Sequence, residues 1–157
     1  MEKEGKIARA FFRSPLGLIE IRADDDGIVS VLFSNGGKSE DKITNRFLKK
    51  CLLELEEYFT GKRQKFDLTL GFEGTTWQKK VWRELLKIPF GQTVSYSELA
   101  EKVGGKQMAH AVASACAQNK LMLLAPCHRV IGADGQLKGY SGGFRHKKWL
   151  LDFEKGN

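Results

Sequence analysis

The run Leu124-Ala125-Pro126-Cys127-His128-Arg129-Val130-Ile131 sets a thiol beside an imidazole and a guanidinium inside an otherwise apolar stretch. Such a grouping supports nucleophilic chemistry at sulfur. Cysteine attacks as the thiolate, and cationic neighbours lower the thiol pKa from its free value of about 8.5 while an apolar setting strips water from the sulfur. On these residues alone a second reading stays open, a buried structural cysteine beside a surface His-Arg pair. Tyr140-Ser141-Gly142-Gly143 begins thirteen positions after Cys127, and Trp149-Leu150-Leu151 follows it.

The elements that position this run fall into two groups. Ile7 to Phe12, Leu18 to Arg22 and Ile28 to Phe33 are short β-branched and aromatic runs separated by Ser14-Pro15-Leu16-Gly17 and Asp24-Asp25-Asp26-Gly27, which predicts a three-stranded meander. From Asp41 to Phe59 the apolar residues Phe47, Cys51, Leu52, Leu55, Tyr58 and Phe59 recur at helical spacing, with Gly61 as the stop. Cys51 lies on that stripe and is expected to pack in a core. A connector with one extended piece, Phe66 to Leu70, closes on Gly71-Phe72-Glu73-Gly74, where the domain boundary is placed, giving domains 1–74 and 75–157.

Beyond the boundary, Thr75 or Thr76 caps a helix with Trp77, Val81, Trp82, Leu85 and Leu86 inward, ending at Ile88-Pro89-Phe90-Gly91. Ser95-Tyr96-Ser97-Glu98 is a capping box opening a short helix that stops at Gly104-Gly105, and another helix runs from about Lys106 to Ala117. Two short helices joined by glycines predict a helix-turn-helix. The second helix turns Met108, Val112, Ala115 and Cys116 one way and Ala109, His110, Ala113, Ser114 and Ala117 the other. The latter face lacks the long polar side chains that read base edges in a major groove. Small residues suit close, sequence-indifferent contact with a minor groove, or packing against another helix. A last helix, Phe144 to Phe153, is expected to turn Trp149, Leu150 and Phe153 inward.

With 157 residues, 41% hydrophobic and 29% charged, the chain has the composition of one globular domain or two small ones. No apolar run reaches membrane-spanning length and residues 1 to 6 lack the apolar core of a secretory signal, so a cytoplasmic or nuclear location is expected. Three irregularly spaced cysteines (Cys51, Cys116, Cys127) and three histidines (His110, His128, His146) supply neither a disulfide framework nor metal-ligand spacing, and no metal is expected. Residues 1 to 74 hold thirteen basic and thirteen acidic side chains, and residues 75 to 157 thirteen and six, so the second half carries the whole net charge of +7. A basic domain with a nucleophile points to a polyanionic partner, duplex DNA above all.

Pro126-Cys127-His128-Arg129-Val130, with Tyr140-Ser141-Gly142-Gly143 and Trp149-Leu150-Leu151, resembles the active site of the O6-alkylguanine-DNA alkyltransferases. The likeness extends from about Thr75 to Glu154, and the first half matches in size and general pattern. It implies an α+β protein with a ribonuclease-H-like N-terminal domain and a mostly helical C-terminal domain carrying a helix-turn-helix. The implied reaction is irreversible transfer of the alkyl group of O6-alkylguanine, with O4-alkylthymine a second candidate, from a flipped base to Cys127. His128 takes the thiol proton through a water, Glu154 orients the imidazole, and Tyr96 donates a proton to the leaving base. Asn119 ties the helix-turn-helix to the active-site turn. Tyr140, Ser141 and Val130 line the base pocket and Lys147 touches its edge, while Arg129 holds the two domains together.

The same resemblance puts Ala109, His110, Ala111, Ala113, Ser114 and Gln118 against the minor groove of double-stranded DNA, bound without sequence preference by a monomer. No cofactor is implied, because the damaged DNA is the alkyl donor. His110 stands where the family has an arginine that fills the gap left by the flipped base. An imidazole is shorter and is cationic only in acid, so extrusion is expected to be weaker or more pH-dependent. Two other classes fit parts of the pattern. A damage sensor that flips bases without transfer would lack the cysteine, and a thiol hydrolase with a Cys-His-Glu site would need an oxyanion hole.

Overall fold

A computed structural model of the chain describes residues 6–39, 42–137, 140 and 142–156. The chain forms two compact units, Met1–Phe72 and Glu73–Asn157.

In the first unit, β1 (Ala8–Ser14), β2 (Gly17–Ala23) and β3 (Ile28–Ser34) form an antiparallel sheet in that order, with Phe12 opposite Ile19 and Ile21 opposite Val31. Alternation buries Ile19, Ile21 and Ala23 of β2. The β2–β3 turn is closed by Asp24, whose carboxylate accepts from the backbone N–H groups of Asp26 and Gly27. Gly27 is required there, since a Cβ would fall 2.7 Å from the Thr69 carbonyl oxygen. The connector contributes only a parallel bridge, Leu70 to Ile28.

Helix α1 (Arg46–Phe59) packs on β1 and β2 through Leu48, Cys51, Leu55 and Tyr58. It starts later than the expected Asp41, because Asn45 accepts from the N–H groups of Phe47 and Leu48 and so fixes the first turn. Leu52, expected on the apolar stripe, is only half-buried, and Glu54 takes a fully buried place instead.

The second unit begins with α2 (Thr76–Leu85), started by a reciprocal Thr75–Gln78 capping box. Its buried face is Val81, Trp82 and Leu85, whereas Leu86, expected inward, caps the helix and is 43% exposed. After β4 (Val94–Ser95) comes α3 (Tyr96–Val103), opened by the Ser95–Glu98 capping box. Gly105, at φ +130°, makes the turn into a 3-10 turn (Lys106–Met108) and α4 (Ala109–Ala117), which packs on α3 as a helix-turn-helix. Another 3-10 turn (Cys127–Arg129) leads to β5 (Val130–Ile131), and α5 (Phe144–Glu154) ends the fold. The buried face of α5 is Lys147, Leu150, Leu151 and Glu154, four positions at helical spacing. Trp149 and Phe153, expected to point inward, are half-buried and stack on each other at 5.0 Å.

Candidate active site

Two short devices tie Cys127 to α3 and to the end of α4. The parallel pairing of β4 with β5 sets Val94 beside Val130 and Ser95 beside Ile131, so Tyr96 is carried to the turn that holds the cysteine. A two-residue strand leaves no periodic signal, which is why the sequence did not reveal it. The second device is Asn119, just past α4. Its side-chain oxygen accepts from Leu121 N–H at 2.9 Å, and its amide donates to the Ala125 carbonyl at 2.8 Å and to Cys127 Sγ at 3.5 Å. Between these anchors Leu123 takes φ 71°, a left-handed conformation costly for a branched side chain.

Cys127 is 2% exposed. Burial pushes its thiol up to about 11, against the opposing effects of the Asn119 hydrogen bond and the Lys147 charge. The expectation of a lowered pKa is therefore overturned, since desolvation outweighs the Asn119 hydrogen bond and the Lys147 charge, and the resting group is a thiol.

His128, 1% exposed, places Nε2 2.8 Å from Glu154 Oε2. Its Nδ1 is buried and has no hydrogen-bond partner among the described residues. Desolvation lowers the His128 pKa despite the neighbouring carboxylate, so the ring is neutral at neutral pH. Arg129 donates from Nε to Glu154 Oε1 at 2.7 Å, from Nη2 to Oε2 at 2.9 Å and from Nη1 to the Ile88 carbonyl at 2.7 Å. Two of these bonds form a charge-assisted fork on one buried carboxylate. Burial alone would raise the Glu154 pKa, but His128 and Arg129 hold its carboxyl well below the usual range.

Lys147 is 1% exposed and lies inside the site rather than at a pocket edge. Its ammonium donates to the Val130 carbonyl at 2.5 Å and to the Tyr96 hydroxyl at 3.5 Å, and sits 5.6 Å from the Tyr96 ring centre. Its place on the face shared with Leu150, Leu151 and Glu154 was the available sequence signal. Val130 is fully buried, with its carbonyl taken by Lys147. Burial keeps the Tyr96 phenol protonated, with further help from Cys116 and Cys127. Tyr140 is buried with its ring edge-on to His128 at 6.4 Å, and its hydroxyl has no hydrogen-bond partner among the described residues. Ser141 lies outside the described residues. Cys116, whose part in the site the sequence did not reveal, is fully buried on α4; burial pushes its thiol up to about 12, and Cys127 pushes it in the same direction.

The structure thus brings together Tyr96, Asn119, Cys127, His128, Lys147 and Glu154, with Tyr140 beside His128. On α4, His110 and Ser114 are exposed and Ala109, Ala111 and Ala113 half-buried, while the exposed Gln118 is hydrogen-bonded to Gln78. Among the described residues no group of three or more His, Cys, Asp or Glu could hold a metal ion. No described helix is long and apolar enough to cross a membrane.

Comparison with known proteins bears on both units. Residues 76–156 match the family model "6-O-methylguanine DNA methyltransferase, DNA binding domain", and residues 7–72 match the ribonuclease-like domain of the same family. The chain is 39% identical to the methylated-DNA–protein-cysteine methyltransferase of Methanosarcina acetivorans over 92% of its own length and 96% of that protein. It is 40% identical to the Methanosarcina barkeri protein of the same name, over 92% and 94% of the two chains. The crystal structure of Mycobacterium tuberculosis O6-methylguanine methyltransferase in complex with DNA matches with a TM-score of 0.85 and 34% identity, covering 95% of this chain and 93% of that one.

Proposed function

The chain belongs to the 6-O-methylguanine DNA methyltransferase family, and from that premise we propose that it repairs alkylated DNA by moving the alkyl group of an extruded O6-alkylguanine onto Cys127. The observation that carries this reading is the buried chain Asn119–Cys127 beside His128–Glu154–Arg129: a thiol, a neutral base and an ionised carboxylate held at hydrogen-bonding distances. With Nε2 committed to Glu154, Nδ1 is the ring nitrogen left to take the thiol proton, through an intervening water. The sulfur then attacks the alkyl carbon, the C–S bond forms and the C–O6 bond breaks. The bonding pair leaves with the guanine, which takes a proton from Tyr96. Lys147, bonded to the Tyr96 hydroxyl, stabilises the phenolate as it forms, and Glu154 stabilises the imidazolium.

A thioether has no good leaving group, so each molecule reacts once and the alkylated protein is the end product. The alkyl donor is the damaged DNA and no cofactor takes part. Tyr140, Ser141 and the Val130 backbone line the base pocket in this reading. Residues 75–157 form the DNA-binding and transfer domain and residues 1–74 the ribonuclease-H-like domain. The small outer face of α4, with Ala109, His110, Ala111, Ala113, Ser114 and Gln118, lies against the minor groove, and the excess positive charge of this half supplies the sequence-independent affinity. Three free thiols fit a reducing compartment, the cytoplasm; in this reading the protein acts as a monomer.

Mass spectrometry tests the assignment. After incubation with an O6-methylguanine duplex, one methyl group is expected on the peptide containing Cys127. The Cys127→Ala variant is expected to bind the duplex and gain no mass. An adduct on Cys51 or Cys116 would overturn the reading.

A further inference from the structure

Helix α4 presents small side chains, so where it lies, rather than how far its residues reach, decides how it meets a duplex. Its own means of holding that position are slight. It has nine residues, no side chain caps its N-terminus, and its buried face consists of Val112, Ala115 and Cys116. None of its own buried residues is larger than valine.

Helix α2 holds it by the backbone. Trp82, 3% exposed, donates its indole N–H to the Ala115 carbonyl at 2.8 Å, and Trp77 donates to the Ala111 carbonyl, one turn earlier, at 3.4 Å. The Gln78 amide donates to the side chain of Gln118, the C-cap residue of α4. Ala115 lies in the last turn of α4, where its carbonyl shares the Gln118 backbone N–H, at 3.2 Å, with neighbouring carbonyls, and Trp82 adds a second, shorter donor fixed in direction. All three bonds come from one helix whose start is itself fixed by the Thr75–Gln78 capping box. The bonds that fix Cys127 and Glu154 come from elsewhere, Asn119 and Arg129.

We propose that Trp82, Trp77 and Gln78 are positioning residues that set α4 for duplex DNA and act on base extrusion rather than on sulfur chemistry. This rests on the reading of α4 as the DNA-contacting helix. A free O6-alkylguanine base needs no extrusion, so the two substrates separate the two steps.

Single-turnover transfer is measured from an O6-methylguanine duplex and from free O6-benzylguanine, for the unsubstituted protein and for Trp82→Phe, Trp77→Phe and Gln78→Leu, with duplex affinity alongside. Loss of one buried hydrogen bond predicts about a tenfold fall in duplex transfer for Trp82→Phe and about two- to threefold for the other two. Free-base transfer is expected to stay within about twofold. Equal losses on both substrates, or unchanged duplex transfer in folded variants, would overturn this proposal alone. Should Trp82→Phe fail to fold, Trp77→Phe and Gln78→Leu, at half-buried positions, decide the matter by the same comparison. Transfer from neither substrate by the unsubstituted protein would overturn the functional reading and this proposal with it.

Discussion

Cys51 and Glu54 in the N-terminal unit, and Cys127 and Glu154 in the C-terminal unit, are two buried pairs of the same residue types. Burial raises both thiols, Cys51 to about 12 and Cys127 to about 11. Their neighbours differ. The Glu54 charge pushes the Cys51 thiol further up, whereas Asn119 and Lys147 pull the Cys127 thiol down. Glu54 accepts the Asp67 backbone N–H and faces cations at 3.6 and 3.8 Å, so it ties the connector to α1. Glu154 is kept from the sulfur by an imidazole and gripped by a guanidinium at 2.7 Å. A carboxylate beside a buried thiol opposes ionisation, while a carboxylate behind an imidazole promotes it. Burial alone does not make a nucleophile, and the arrangement of charge around it does.

The comparison is most sharply tested at the two glutamates. Glu154→Gln is expected to slow transfer about 10²- to 10⁴-fold by weakening the base, and to cost about 3–5 kcal/mol in denaturant unfolding because Arg129 is left buried without a charged partner. Glu54→Gln should leave single-turnover transfer unchanged. A comparable loss from Glu54→Gln would mean that the two pairs are not different in kind.

Acid should separate the units next. His128 has a folded pKa below its unfolded value of 6.5, mainly through burial, so the unfolded chain binds a proton that the folded chain resists. Stability conferred by the site is therefore full above the ordinary histidine range and is lost as pH falls below about 6.5. The depressed Glu154 pKa acts in the same direction at lower pH, its contribution being present above 4.5 and lost as pH falls toward the folded value. Free-base transfer should hold to lower pH than an ordinary histidine would allow and then fall. Thermal unfolding and transfer rates between pH 4 and 8 check both trends, and a Glu154→Gln variant, which loses the charge that supports the His128 pKa, should lose stability more steeply below pH 6.5.

The smallest effect is expected at His110, which lies outside either buried pair. His110→Arg should raise duplex transfer about two- to fivefold by adding a permanent cation against a polyanion, with free-base transfer unaltered. The ratio of duplex to free-base rates isolates this residue from the titration of His128. An unchanged ratio would contradict the view that positive charge at this position aids extrusion.

Much of this was legible in the chain. Short β-branched and aromatic runs between Pro-, Asp- and Gly-containing turns marked the sheet, and the Ser95–Glu98 capping box marked α3, because local bonds within a few residues decide such features. The inward face of α5 was misread, since an apolar rule chose Trp149 and Phe153 where Lys147 and Glu154 are buried by partners far away in sequence. The acceptors of Arg129, Ile88 and Glu154, were not legible either, being distant from it along the chain.

The sequence by itself determined the kinds of group available, namely a thiol next to an imidazole, a phenol at a helix start and a basic second half. Tertiary structure decided their states. Whether Cys127 rests as thiol or thiolate, which His128 nitrogen is free and whether Lys147 meets solvent depend on desolvation and on charges brought together from α3, α4 and α5. Those energies vary with distance and burial, which no residue carries until the chain has folded.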